Sequence, residues 1–470
     1  MARERSPGLK LLFAILIAAA LVIPLVFVYA LVSDRDNQST IAQNTITAGW
    51  GGDQIISGPI VAIPYMAEQT ENETINGAVV SRTRMVRREL FLAPEKQQVK
   101  TALSPQKRQK SIYSSVIYRA ELSGTARFAL PENLSRLGVA RDKLLLDQAE
   151  LRFGVSDPRG LQSDAAVTID GKAVPLEPGK GVAASGNAGF HAVLDWSGAD
   201  AIDLTWKYSV RGSHGMSLVP RGGETVWEVT SPWPHPGFSG SFLPQEKSIG
   251  EQGFSAKYAI SNIALGQSLA MTSDPLPPQI TEPGYERAMA PVMTGDRVRD
   301  NGPSMAATIG LVEPVDLYSR VDRSVKYGFL FIGFTFLAYL MFDIVAGARV
   351  ASAEYLLTGA GLVLFFVLLL AFAEVIGFTV AYIVASVAII GLLTAYSAAV
   401  LKSWRRARFM GALLLGLYAL LYVLLSLEAW SLLIGAVLLF VALAGVMYAT
   451  RNIDWSSVGR APEVERAEVA

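Results

Sequence analysis

The sequence predicts an α+β membrane protein: one N-terminal TM helix, a β-rich (sandwich-like) polar domain, and a C-terminal five-helix TM bundle. Three observations carry this. Leu11–Val32, LLFAILIAAALVIPLVFVYALV, is an unbroken apolar run long enough to cross a bilayer core at ~1.5 Å per residue. Residues 33–325 are polar and rich in Gly, Pro, Ser and Thr. Residues 327–450 are almost continuously apolar.

Arg3, Arg5 and Lys10 precede the first run, which favours a cytoplasmic start. A secretory signal peptide is the rival reading, with Val28-Tyr29-Ala30 as its cleavage site. Its apolar region is usually ~7–15 residues, shorter than this one, so an uncleaved anchor is expected. Either way the polar domain lies outside the cytoplasm. Ser33–Trp50 has no Pro, and no Gly before Gly49, and can prolong the first helix until Gly51-Gly52.

The polar domain reads as many short strands separated by Gly/Pro turns, which suggests a sandwich or a large antiparallel sheet. Expected strands are 54–65, 79–92, 110–118, 124–130, 144–155, 166–169, 189–194, 201–210, 216–219, 225–230, 254–260 and 307–314. Pro59 and Pro64 push the first toward a sheet edge or a bend. Thr272–Ser304 reads as a long loop. Asp316–Tyr327 has Leu317, Val321 and Val325 at helical spacing. It is either an interfacial helix or the start of the next span.

Five spans follow, at 328–346, 355–372, 376–401, 409–427 and 430–450. Basic residues fall in alternate connections: Arg349, then Lys402, Arg405, Arg406 and Arg408, then Arg451 and Arg460. The connections near Glu374 and Glu428 carry none. Counted from a cytoplasmic N-terminus, every basic loop is inside. Six spans are therefore expected, with 1–10 and the tail 451–470 cytoplasmic.

Net charge is zero, 41 Lys+Arg against 41 Asp+Glu, so no nucleic acid is expected as a partner. There is no cysteine, which excludes disulfides, thiolate metal sites and a Cys nucleophile.

Five stretches in order along the chain are distinctive: Ile56–Pro64, Ser231–Pro244 (SPWPHPGFSGSFLP), Val315–Gly328, Glu374–Ser386 and Thr450–Trp455 (TRNIDW). By these the chain resembles CreD, the inner-membrane "cell envelope integrity" family of Gram-negative bacteria. The resemblance implies an inner-membrane protein with both termini cytoplasmic and residues 33–325 as a periplasmic domain. It also implies envelope-stress signalling through the Cre two-component system. It supplies no reaction, substrate or catalytic residue.

Each candidate site has a plainer role beside it. In Ser231–Phe238 three prolines restrict the backbone and hold Trp233, His235 and Phe238 ready for recognition; the plainer role is a rigid corner whose aromatics pack on the sheet. Asp343 and Glu374 are candidate intramembrane polar groups, against interfacial hydration or an Asp343–Arg349 pair. His191, His214 and His235 lack metal-ligand spacing, so no metal or other cofactor is expected. No GxSxG elbow supports a hydrolase triad, and Gly212-Ser213-His214-Gly215 is a short hint. The basic stretch 82–110 reads as a solvated strand face before a lipid-binding one. Gly359-Ala360-Gly361, Gly411 and Gly416 suit helix packing, with homo-oligomer contacts a minor option.

The expected function is non-enzymatic: support of envelope integrity and the envelope stress response through the periplasmic domain. Membrane lipids and other envelope proteins are its expected partners. The alternative is a transporter or lipid-handling protein using polar residues of the bundle.

Overall fold

The structure is a computed structural model that describes residues 7–75, 78–132, 134–278, 304–312, 317–345, 350–426 and 431–451. The chain forms two compact units: Met1–Thr40 with Val315–Ala470, and Ile41–Pro314.

Helix α1 runs Pro7–Ala48, about 63 Å at 1.5 Å per residue, well beyond the ~30 Å of a hydrocarbon core. It ends where the backbone N–H groups of Trp50 and Gly51 both turn back to Thr47 O. Ala14, Leu21 and Val28 are buried, at seven-residue spacing, so one narrow stripe of an otherwise apolar surface is packed.

The β-rich unit begins with a long hairpin, β1 (Gln54–Ile75) and β2 (Ala78–Leu92), followed by a second, β3 (Lys96–Lys110) and β4 (Tyr113–Ala129). Then come β5 (Ala149–Val155), β6 (Ala166–Ile169), β7 (Lys172–Ala173), β8 (Glu177–Pro178) and β9 (Gly189–Leu194). β10 (Ala201–Ser213), β11 (Gly215–Val219), β12 (Glu224–Ser231), β13 (Pro236–Gly240), β14 (Glu246–Gly250) and β15 (Gly253–Ser261) follow. A one-turn helix α2 (Asn262–Leu265), β16 (Ala270–Met271) and β17 (Ala307–Leu311) close the unit.

These strands make two mixed sheets. One has the order β13-β17-β11-β1-β5-β9-β8, with β2 paired to β1 and β16 to β2; the other runs β14-β15-β12-β3-β4-β10-β6-β7. Most pairs are antiparallel, but β1 is parallel to β11 and β12 to β3. A purely antiparallel arrangement therefore does not hold. The two sheets share one core. Phe153 of the first stacks on Phe190 at 4.8 Å and meets Trp206 and Tyr208 of the second edge-on at 5.9 and 6.2 Å.

Strand β3 is not among the expected strands, and 110–118 and 124–130 are pieces of the single hairpin β3–β4. The reason is visible in β3, where buried positions alternate only over its first half and residues 106–110 are all exposed. Polar cross-strand pairing with β4, from Lys96↔Arg127 to Lys110↔Tyr113, carries the rest. Residues 279–303, most of the expected long loop, lie outside the described residues.

In the other unit, α3 (Leu317–Lys326) is a separate amphipathic helix burying Tyr318, Val321, Ser324 and Val325. A break at Tyr327 separates it from α4 (Gly328–Val345). α5 (Ser352–Ile376), α6 (Phe378–Val400), α7 (Trp404–Ser426) and α8 (Ser431–Thr450) follow. Among the described residues five segments are long and apolar enough to cross a membrane: Leu11–Ala48, Leu317–Asp343, Ser352–Ile376, Phe378–Val400 and Trp404–Ser426. α8 is a further apolar helix. Arg349, Glu428 and the tail beyond Arg451 lie outside the described residues.

Small residues set the helix spacing. A Cβ on Gly359 would collide with Leu21 Cδ1 of α1, and one on Gly361 would lie 2.9 Å from Leu393 Cδ2 of α6. One on Gly411 would lie 2.7 Å from Thr394 Oγ1. Gly416 has open space around it. Around Phe365 the bundle is aromatic, with Phe366, Tyr382 and Tyr418 at 5.0, 5.6 and 4.5 Å.

Candidate functional site

The Ser231–Phe238 stretch leaves the end of β12 and becomes β13, an edge strand paired with β17 from Pro236↔Leu311 to Gly240↔Ala307. Trp233 is half-buried; its indole Nε1 donates to Val312 O at 3.0 Å, and Lys107 lies 5.7 Å over its ring. Phe238 packs edge-on against Phe254 at 5.8 Å under Lys247. Both aromatics rest on the domain's core, as a rigid corner would have them. His235 is exposed. The prolines thus aim one polar ring outward and two apolar rings inward.

Beside this corner lies an open cleft of about 580 Å³. Its lining includes Ser104 of β3, Ser231 and Pro232 at the end of β12, Ser248 of β14, and Gln252 and Phe254 of the β14–β15 hairpin. The cleft exists because β12 and β3 part company: their parallel pairing stops at Thr230↔Ala102 while β3 continues to Lys110. Hydroxyls, one amide and the apolar Ala102, Leu103, Pro232 and Phe254 line it, and no charged side chain is among the lining residues described.

The histidines do not converge. His191 is buried, with Nδ1 3.2 Å from Gly179 O and Nε2 3.5 Å from Glu177. Among the described residues no group of three or more His, Asp or Glu is placed to hold a metal ion.

His214 has a different setting, at the turn between β10 and β11 in left-handed conformation, φ 54°. Its Nδ1 lies 3.2 Å from Asp53 Oδ1 and its Nε2 3.4 Å from Ser115 Oγ. The order is that of a hydrolase triad. Ser115, however, is 2% exposed within β4, so a substrate carbonyl has no route to its hydroxyl without local opening. The neighbouring Tyr118 hydroxyl donates to Gly215 O at 2.7 Å, and burial, then the Asp53 carboxylate, pushes its pKa well up. These contacts tie the start of β1 to the β10–β11 turn.

Two further clusters have no counterpart in the sequence-based expectations. Trp50 sits between the guanidinium groups of Arg108 and Arg211, 4.7 and 4.8 Å from its ring, and donates to Tyr118 O at 3.1 Å. Asp157 accepts from Gly52 N at 3.1 Å and from Arg159 Nε and Nη2, each at 2.8 Å. The Arg159 guanidinium and these N–H groups hold its carboxyl at about 2. Trp50, Arg108 and Arg211 lie far apart in the chain, and although Asp157-Pro158-Arg159-Gly160 reads locally as a tight turn, its tie to Gly52 spans 105 residues.

In the helical unit Glu374 is a fastener. Its Oε1 lies 3.8 Å from Arg35 Nε of α1 and accepts from Tyr318 OH of α3 at 3.3 Å. Asp343 is 4% exposed in α4. Nearby, Tyr339 OH and Ser397 Oγ are 2.5 Å apart. The hydroxyls of Thr335, Tyr355 and Thr394 are buried with no hydrogen-bond partner among the described residues.

An N-terminal apolar helix, a two-sheet β domain and a set of apolar C-terminal helices define a polytopic membrane protein with one large β-rich domain. The family model for "Inner membrane protein CreD" matches residues 6–456. The chain is 32% identical over 442 residues to the inner membrane protein CreD of Escherichia coli (strain K12), covering 93% of this chain and 90% of that protein. The chain therefore belongs to the CreD family of inner-membrane proteins.

Among solved structures, an M1 zinc metallopeptidase from Deinococcus radiodurans aligns with TM-score 0.22, both as the enzyme itself and as a point mutant bound to a tripeptide substrate. The two structures are 10% and 9% identical to this chain and cover 36% of it. The chain spans well under half of that enzyme, 38–39%. A likeness this slight carries no argument about fold or activity.

Proposed function

We propose that the β-rich domain lies in the periplasm and supports envelope integrity without catalysis, by holding an envelope component in the cleft beside Ser231–Phe238. The cleft is the observation that carries this reading. Its neutral hydroxyl- and amide-bearing walls suit an extended polymer rich in hydroxyls and amides, and the proline-stiffened corner keeps its rim in place at small entropic cost. The partners are then membrane-associated or wall components within reach of a domain anchored at both ends of its sequence.

Filling the cleft tests this. Ser104→Trp and Gln252→Trp, in protein that accumulates and inserts normally, are expected to give the envelope sensitivity of a strain lacking the gene. A photo-crosslinker at Ser248 is expected to capture a partner that neither variant captures. Wild-type envelope behaviour in both variants would sink the reading.

A second reading, transport or lipid handling by the bundle, is favoured by the burial of Asp343, since a carboxyl inside a membrane bundle is a functional candidate by default. Asp343→Asn separates the two readings. It leaves envelope phenotypes intact under the first and abolishes them under the second. Glu374→Gln is a poorer discriminator, because Glu374 joins α1, α3 and α5.

A further inference from the structure

The helical unit carries a second concavity, unrelated to the cleft above. An apolar groove of about 590 Å³ runs between α4 and α7 and is touched by Gly445 of α8. Phe334, Leu337 and Met341 line one wall and Phe409 and Leu413 the other. The α4 wall, Phe334–Phe342, covers roughly two helical turns, about 12 Å at 1.5 Å per residue, and the Phe409–Leu413 wall about one turn, ~6 Å. Phe342 and Phe409 meet edge-on at 5.6 Å across one end of the groove.

At that end, among the described residues, the lining turns basic, with Arg405 and Arg406 in the first turn of α7. Arg408 follows and Lys402 precedes them. No acidic residue stands in that first turn. Cations at a helix N-terminus run against the helix dipole, so an anion bound there would offset an unfavourable local field. Trp404 is 67% exposed beside it, in the manner of an interfacial aromatic.

We propose that this groove is a binding site for an anionic phospholipid. The acyl chain lies along the Phe334–Met341 wall, and the phosphate is held by Arg405 and Arg406. The ordering of the surface, about 12 Å of hydrocarbon ending in two guanidinium groups, matches the ordering of such a lipid. Guanidinium forks hold phosphate oxygens bidentately. A zwitterionic lipid fills the same hydrocarbon wall but brings its own cation to the basic end. The basic-loop pattern puts this end at the cytoplasmic leaflet, where anionic headgroups attract such clusters.

The test uses the full chain, delipidated in mild detergent and returned to vesicles of phosphatidylcholine with or without phosphatidylglycerol. Retained lipid is read by native mass spectrometry. Wild-type protein is expected to retain phosphatidylglycerol in preference to phosphatidylcholine. Replacing both arginines, R405Q/R406Q, should cut that preference roughly ten- to thirty-fold, the effect of two basic residues near a headgroup. Leu337→Trp fills the groove without touching charge and should lower retention of both lipids. The site is refuted if R405Q/R406Q keeps the preference, or if Leu337→Trp retains both lipids while the bundle stays folded. A dimer mass that Leu337→Trp abolishes, with no lipid preference in the wild type, assigns the groove to a second copy and overturns the proposal as well.

Discussion

Asp157 shows how one side chain fastens the entry to the β domain. Its carboxylate joins Gly52, just past the end of α1, to the turn at Arg159. Its folded pKa, about 2, lies below the ~3.9 of an unfolded Asp. A depressed carboxyl contributes stability that is fully present above the unfolded value and is lost as pH falls toward the folded one. Asp157→Asn should therefore lower the melting temperature at neutral pH and remove part of the acid-induced decline between about pH 4 and 2, measured by circular dichroism. An unchanged acid limb would show that other carboxylates dominate. At Glu374, the ion pair with Arg35 is 39% exposed on the Arg35 side. Glu374→Gln keeps an acceptor for Tyr318, so it is expected to cost about 1 kcal/mol or less and to leave accumulation in the membrane near wild type.

At the scale of elements, the contact of α1 with α5 depends on Gly359. Leu21 occupies the space where a Cβ would stand. Gly359→Val should push the helices apart and reduce detergent-solubilised thermal stability by several degrees, whereas Gly416→Ala, in open space, should change little. Within the sandwich, Phe153 stacks on Phe190 and abuts both Trp206 and Tyr208. Phe153→Ala is expected to cost about 3–5 kcal/mol, read as a shift in denaturation midpoint. The strands with clean alternation, such as β12 and β15, are legible in the sequence because burial of one face dictates a period of two. β3 and β14 are not, since the outer end of β3 and all of β14 are exposed and are held by cross-strand partners that no local pattern names. The same holds for sites. The prolines of Ser231–Phe238 announce a stiff corner, but which rings turn inward depends on Val312 and Phe254, residues distant in sequence.

For the whole molecule, the alternation of basic loops makes an experiment of the orientation. A phosphatase reporter fused after Ala270 should be active and one after Arg406 inactive; the reverse pattern would put the β domain in the cytoplasm and remove the proposed role with it. What the sequence by itself determined was class and order: an apolar helix, a polar β-rich domain, then apolar helices, together with the family. These follow from hydropathy and period, which are properties of contiguous residues. Only the tertiary structure decided that the sheets are mixed, that Asp53, Ser115 and His214 fall into line, that β12 and β3 diverge into a cleft, and that two arginines close an apolar groove. Each of these rests on residues brought together from distant parts of the chain, and the free energy that selects them, burial of shared core and pairing of backbone edges, belongs to the assembled fold and to no single segment.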